Sequence, residues 1–180
     1  MSDLKRILAP VLIALIALAL AACGAEQTQT SAKNYTAQEI YDAVAEAYGE
    51  DFLPDGPMNE AEYTETYSLD MNDIEDHADG IAMVSFEPDR LVVLKCKAGK
   101  GEQVQKTMEQ ARETLVENGM WYPANLAKVN ASRVLRQGDY VAFMMLGATN
   151  PDPDASEEDA KKFAEEQIKI GVDAFNELFK

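Results

Sequence analysis

The 180 residues carry 16 Lys and Arg against 32 Asp and Glu, a formal charge of −16 with the single histidine neutral. A polyanion of this kind excludes general nucleic-acid binding and is repelled by anionic lipid, while cationic partners stay open to it. The length suits one domain with a sizeable core, and two cysteines, Cys23 and Cys96, cannot build a disulfide scaffold.

The first element is an address. Lys5 and Arg6 precede an apolar run from Ile7 to Ala22 that contains Pro10 and ends in small residues. The run is shorter than the roughly 20 apolar residues of a membrane-spanning helix and has the order of a secretory leader. Its end, Leu20-Ala21-Ala22-Cys23, resembles the bacterial lipobox, in which small side chains suit the peptidase and the cysteine sulfur takes a diacylglycerol. Residues 1–22 therefore read as a lipoprotein signal peptide and Cys23 as the lipidation site. Acyl chains there, palmitate among them, would hold the protein on the extracytoplasmic face of the cell membrane, since two chains anchor stably where one does so marginally. Loss of Lys5, Arg6 and Asp3 with the leader leaves 14 basic and 31 acidic residues, a formal −17. From Gly24 the composition turns to Gln, Thr, Ser and Ala without apolar period, so residues 23–35 read as the lipidated cysteine and a flexible tether.

Residues 36–180 read as a single domain. Thr36-Ala37-Gln38-Glu39 has the pattern of a capping box, Ile40, Val44 and Ala47 follow on one helical face, and Gly49 is a stop. Asp51 to Pro57 is turn-rich, a weaker helical stretch runs from Asn59 to about Tyr67, and an acidic segment from Asp70 to Gly80 leads into a sheet. Ile81–Phe86 and Leu91–Lys97, separated by Glu87-Pro88-Asp89-Arg90, read as a β-hairpin. The clearest helix spans about Glu102 to Asn118, with Val104, Met108, Ala111 and Leu115 on one face and Gly119 beyond its end. Asn130–Arg136 and Tyr140–Leu146 form a second hairpin around Gln137-Gly138-Asp139. The Pro- and Asp-rich stretch Asn150–Asp154 breaks the chain, and Ser156 caps a last helix with Ala164, Ile168, Val172, Phe175 and Phe179 inward. Two hairpins and amphipathic helices predict an α+β fold: an antiparallel sheet of about four strands with the helices packed on it.

Several of these segments resemble one bacterial lipoprotein family, domain of unknown function 4358. They are the lipobox, Ile40-Tyr41-Asp42-Ala43, Lys95-Cys96-Lys97-Ala98-Gly99-Lys100 and the stretch Ser132–Val141. The resemblance implies a Gram-positive cell-surface location and no particular activity.

Chemistry-bearing residues are few. His77, set among Asp73, Glu75, Asp76 and Asp79, could serve as a base or ligand, but such a residue more often sits on a solvated acidic face. Strand alternation puts Cys96 with Val92 and Leu94, as a buried and inert thiol. Asp152, Asp154 and Ser156 match the start of a calcium loop, yet Glu157 stands where glycine is needed and Phe163 where the bidentate glutamate belongs; Asp70, Asn72 and Asp73 fail at Ile74. Gly99-Lys100-Gly101 lacks phosphate-loop spacing. No catalytic residue, metal or cofactor is assigned. Met120-Trp121-Tyr122-Pro123, just past a helix end, supplies the one candidate contact, with Trp121 and Tyr122 as binding anchors unless Trp121 folds under the sheet. Met83, Met144 and Met145 read as core filling within strands. The expectation is a non-enzymatic binding or accessory module with a protein partner, and the alternative a small-ligand or cation-binding domain with an acidic pocket.

Overall fold

The computed structural model of the protein describes residues 33–84 and 86–180. The leader 1–22 and Cys23 lie outside the described residues. Asn34–Lys180 forms one unit. Its elements in chain order are α1 (Ala37–Tyr48), α2 (Glu60–Glu65), β1 (Ile74–Ile81), β2 (Arg90–Cys96), α3 (Gly101–Asn118), α4 (Leu126–Ala131), β3 (Arg133–Gln137), β4 (Tyr140–Met145) and α5 (Glu157–Leu178), with single 3₁₀ turns between some of them.

The fold is α+β, and its four strands form one antiparallel sheet in the order β1-β2-β4-β3, two hairpins laid side by side. The inner strands β2 and β4 are buried on both faces, which explains their near-continuous apolar sequences, Leu91-Val92-Val93-Leu94 and Tyr140-Val141-Ala142-Phe143-Met144-Met145. Leu91, Val93, Ala142 and Met144 meet Ile40 and Val44 of α1 and Ala164, Ile168 and Phe175 of α5. Val92, Leu94, Val141, Phe143 and Met145 meet Val104, Met108 and Ala111 of α3, with Tyr63, Tyr67 and Leu69 from the segment around α2. Helices thus cover both faces, and the outer strands carry the charge: Glu75, Asp76, His77 and Asp79 on β1, Arg133 and Arg136 on β3. Charged edges discourage pairing with further strands.

Local chemistry sets the helix ends. Thr36 and Glu39 form the capping box on α1, Asn59 and Glu62 repeat it on α2, and the Ser156 hydroxyl accepts from Asp159 N–H at the start of α5. The carbonyls at the end of α4 receive cations: Arg112 donates to Asn130 and Ser132, and Arg133 to Ala131 and Ser132. At the α1–α5 contact, Tyr48 donates its hydroxyl proton to the Gln167 carbonyl at 3.0 Å and accepts from Gly171 N–H at 3.2 Å. Gly171 suits this close approach, because a Cβ at that position would stand 3.0 Å from the Tyr48 ring and 3.1 Å from the Met144 sulfur, so that one of them would have to shift. It, not Val172, faces inward alongside Ala164, Ile168 and Phe175.

Two sequence expectations are corrected. The first hairpin does not pair Ile81–Phe86 with Leu91–Lys97; the acidic stretch Ile74–Ile81 is the strand, in continuous register from Ile81 opposite Arg90 to Asp76 opposite Lys95, with a bulge between Asp76 and Ile74 before Ile74 meets Cys96. Only small or apolar residues point fully inward along it (Ile74, Ala78 and Gly80), and an edge strand has room for carboxylates elsewhere. Met83 consequently lies outside the sheet and is 66 % exposed, whereas Met144 and Met145 are fully buried. Asn130 and Ala131, expected to begin the second hairpin, belong to α4, a short helix whose residues Ala127, Lys128 and Val129 reach the core or the buried ion cluster described below.

Replacing Tyr48 by Phe should cost about 1–2 kcal/mol, because the Gln167 carbonyl and Gly171 N–H lose their partner in an apolar setting. Urea denaturation of the two proteins measures the difference.

Candidate functional site

Beyond the sheet's Arg90 end, the chain crosses from β1 to β2 and from α3 to α4. Met83 (66 % exposed), Val84 and Phe86 stand on the first connection, Met120 and Tyr122 on the second, and Leu126 opens α4. The remaining exposed large hydrophobic side chain among the described residues, Leu53, lies two positions from Asp55, whose carboxylate accepts from Met83 N–H at 2.8 Å. All seven therefore gather at one end of the fold. Ordinary surfaces scatter such residues singly, whereas these stand on neighbouring stretches of the chain. Exposed Asp55 and Glu117 lie beside it in the chain.

The chain enters the domain at the other end. Tyr35 N–H donates to the Tyr140 hydroxyl and Tyr140 donates to the Tyr35 carbonyl, both at 2.9 Å, and Tyr140 pairs with Lys95 across the sheet. From Lys95 to Arg90 a strand spans roughly 17 Å. The apolar end and the Tyr35–Tyr140 contact are thus separated by the length of the sheet.

A buried ion cluster joins the two connections. Lys128 of α4, 5 % exposed, donates to Asp89 at 2.6 Å and to Glu87 at 3.1 Å. Asp89 Oδ2 takes the lysine, while Oδ1 is buried with no hydrogen-bond partner. Burial pushes the Asp89 carboxyl up to about 6, the nearby Glu87 carboxylate adds to the effect and Lys128 opposes it. Close by, the Asn125 carboxamide donates to the Phe86 carbonyl, and Asp89 O accepts from Ala82 N–H at 2.9 Å.

Trp121 and Tyr122 have different environments. The Trp121 ring packs on the β2/α3 side of the core, its Nε1–H donates to the Leu115 carbonyl at 2.8 Å, and the Arg90 guanidinium lies 5.6 Å from the ring centre. Tyr122 is 60 % exposed. The indole is a strut under the connection and the phenol is on its outer surface. Sequence reasoning missed Phe86, Leu126 and the Asp89–Lys128 pair. The Pro- and charge-rich run Glu87–Arg90 looks like an ordinary turn until α4 supplies a lysine from 39 residues away.

The other candidates hold structural contacts. His77 is 44 % exposed at its side chain; its Nδ1 lies 2.9 Å from the Tyr63 hydroxyl, which donates to Asp79 Oδ1. With the phenol proton given to the carboxylate, His77 Nδ1 is placed to donate to the phenol oxygen. Asp79 Oδ2 also accepts from Met58 N–H at 2.6 Å, so these groups tie the α2 segment to β1. Burial, reinforced by Asp79, raises the Tyr63 phenol far above its ordinary value. Cys96 is 2 % exposed, with burial and then Asp139 and Asp73 pushing its thiol up to about 12. Asp152 caps the turn at Asp154 N–H, and Asp70 does the same for Asn72. Among the described residues no group of three or more His, Cys, Asp or Glu is arranged to hold a metal ion. Two shallow depressions, about 390 and 310 Å³, lie beside α3 and at the start of α5; the second combines Asp152, Asp159 and Glu166 with Lys162.

A family profile described as Domain of unknown function (DUF4358) matches residues 50–146. The chain belongs to that family. The DUF4358 segment runs from the turn after α1 through β4, and so contains the whole sheet, both apolar connections and the Glu87–Asp89–Lys128 cluster, but leaves α5 outside. No curated protein and no solved structure matches the chain.

Substituting Met for Lys128 should destabilise the fold by about 3–5 kcal/mol, because two carboxylates then share a dry site without a counter-ion; chemical denaturation at pH 7.5 reads the loss. In the folded protein at pH 8, Cys96 should resist iodoacetamide and react only once denaturant unfolds the domain, as intact-mass measurement would register.

Proposed function

We propose that this DUF4358 protein is a lipid-anchored extracytoplasmic binding module without enzymatic activity, tethered through Cys23 and making contact through the end of the domain that carries Phe86, Tyr122 and Leu126. The occupant it fits is a protein with an apolar face rimmed by Lys and Arg. The gathering of all seven exposed large hydrophobic side chains among the described residues at one end supports a contact face. Asp55 and Glu117 beside it, on a chain of formal charge −16, favour a basic rim on the partner by charge complementarity.

The anchor reading rests on the order of Lys5, Arg6, the apolar run and Leu20-Ala21-Ala22-Cys23. The domain is compatible with it: among the described residues no helix is long and apolar enough to cross a membrane. A non-enzymatic role agrees with the uses found for His77 and Cys96, the first engaged with Tyr63 and the second buried.

Cys23→Ala should move the protein from the membrane fraction to the soluble extracellular fraction and abolish incorporation of an alkyne-tagged palmitate. Retention of label and membrane association in that variant would exclude Cys23 as the anchor. For the contact face, crosslinking from intact cells should compare the wild type with Phe86→Ser, Tyr122→Ser, two exposed changes that leave Trp121 in place. Loss of a specific crosslinked protein in the variant, at unchanged melting temperature, is the expected result; an unchanged crosslinking pattern would remove this end of the domain from consideration.

A further inference from the structure

The cluster beneath the apolar end has an uneven charge count. One lysine, Lys128, faces two carboxylates, Glu87 and Asp89, so full ionisation leaves one negative charge in excess where Asp89 is 1 % exposed and Glu87 side-chain exposure is 16 %. Asp89 Oδ1 is the atom without a partner, so it is the place where a proton resolves the excess. The charged or titratable groups around it are Lys128 from α4, Glu87 from its own connection, Arg90, which turns to the opposite side over Trp121, and Tyr48 of α1. Tyr48 keeps its proton throughout, since burial pushes its phenol up to about 12.

We infer that Asp89 is a protonation-controlled latch for the contact face: protonated, it leaves a neutral cluster that holds Phe86–Asp89 against α4, and ionised, it puts an unbalanced buried charge there and loosens the hold. The geometry carries this by linking the cluster to the face on both sides. Asp89 lies three residues from Phe86, whose carbonyl accepts from Asn125, and Lys128 lies two residues from Leu126 on the same short helix. A change in the cluster therefore acts on side chains from both connections. The regulatory meaning rests on the binding role proposed above; the latch itself is a property of the domain.

The direction follows from linkage. Burial holds the Asp89 carboxyl at about 6 against an ordinary 3.8, so between these values the folded domain keeps a proton that the unfolded chain releases. The group favours the folded, latched state below about pH 4, and that contribution is lost as pH rises through about 6. Glu39, Asp70 and Glu102 are shifted downward by their hydrogen bonds and act in the opposite sense at acid pH, so the latch is read as a difference between variants.

Asp89→Asn removes the excess charge while its carboxamide oxygen still accepts from Lys128 and Glu87 still neutralises the lysine. Glu87→Gln removes the same excess from the other side and serves if the first variant fails to fold. Hydrogen exchange of the full chain from pH 5 to 7.5, with rates corrected for intrinsic exchange and referenced to β4, should show protection at residues 86–90 and 125–130 falling by about tenfold or more in the wild type. It should stay flat in either charge-removing variant. The ratio of folding constants, Asp89→Asn over wild type, should rise about tenfold or more across the same range. Equal pH profiles in wild type and variants would overturn the latch. Crosslinking at pH 5.5 and 7.5 separates the two ideas. Capture that depends on Phe86 and Tyr122, with pH-flat exchange, would sink the latch and keep the face. A pH-dependent exchange profile abolished by Asp89→Asn, with capture indifferent to Phe86 and Tyr122, would keep the latch and sink the face.

Discussion

β2 and β4 lie side by side in the middle of the sheet with apolar side chains on both faces, and the rest of the domain is arranged to keep both faces dry. A sheet with one solvated face needs one layer of helices; this pair needs two. Helices α1 and α5 meet one side, α3 and the α2 segment the other. Leaving Phe143 or Met144 uncovered would sacrifice roughly 1.5–3 kcal/mol each, comparable to a large share of a domain's net stability. The demand also explains the edges. With apolar residues committed to the centre, β1 and β3 carry the carboxylates and guanidiniums that end the sheet without inviting another strand.

Coverage of the faces leaves the ends. At the Tyr140 end the chain enters through an aromatic group, Tyr35, Tyr140 and Phe179, with Tyr35 also donating to the Leu178 carbonyl at 3.0 Å. That end is closed by the first and last segments of the domain. At the Arg90 end no terminal segment is available among the described residues, and the chain closes it with two connections pinned to each other by Asn125, Lys128 and Asp89. Pinning from beneath, by a buried ion cluster, frees the outer side chains from any packing duty. Phe86, Tyr122 and Leu126 can then be apolar and exposed together without loosening the backbone that carries them.

Charge distribution follows the same economy. The four arginines of the described residues make no ion pair with a carboxylate, although acids outnumber bases two to one in the chain. Arg112 and Arg133 are used on the carbonyls that end α4, and Arg90 on the Trp121 ring and the Pro88 carbonyl. Burial, and then the neighbouring Arg133, lowers the proton affinity of Arg112, a cost that the helix-end carbonyls offset. Lysines take the carboxylates, mostly one helical turn away on exposed faces where each pair contributes little. The Lys128 pairing differs in being dry, and there the arithmetic of charges matters.

Helices with strong local signals were legible from sequence: the Thr36–Glu39 box, the Val104–Met108–Ala111 stripe and the Ser156 cap all act within a few residues, where the backbone's own spacing decides. The inner strands were legible too, since nothing but burial on both faces explains runs such as Leu91–Leu94. The outer strands were harder. Ile81–Phe86 has the better strand composition and the acidic Ile74–Ile81 the worse, yet the second is the strand, because an edge position tolerates charge and the register against β2 is set by the β2 partners rather than by β1 itself. The site divides in the same way. The sequence by itself determined the fold class, the inert Cys96 and the aromatic pair after α3, since each depends on local period or composition. Only the tertiary structure decided that Trp121 turns inward while Tyr122 stays out, that Phe86 and Leu126 join it, and that Asp89 meets Lys128 in a dry site. Those outcomes depend on long-range closure of two connections against each other, and the free energy of a buried charge depends on what surrounds it, which no run of neighbouring residues records.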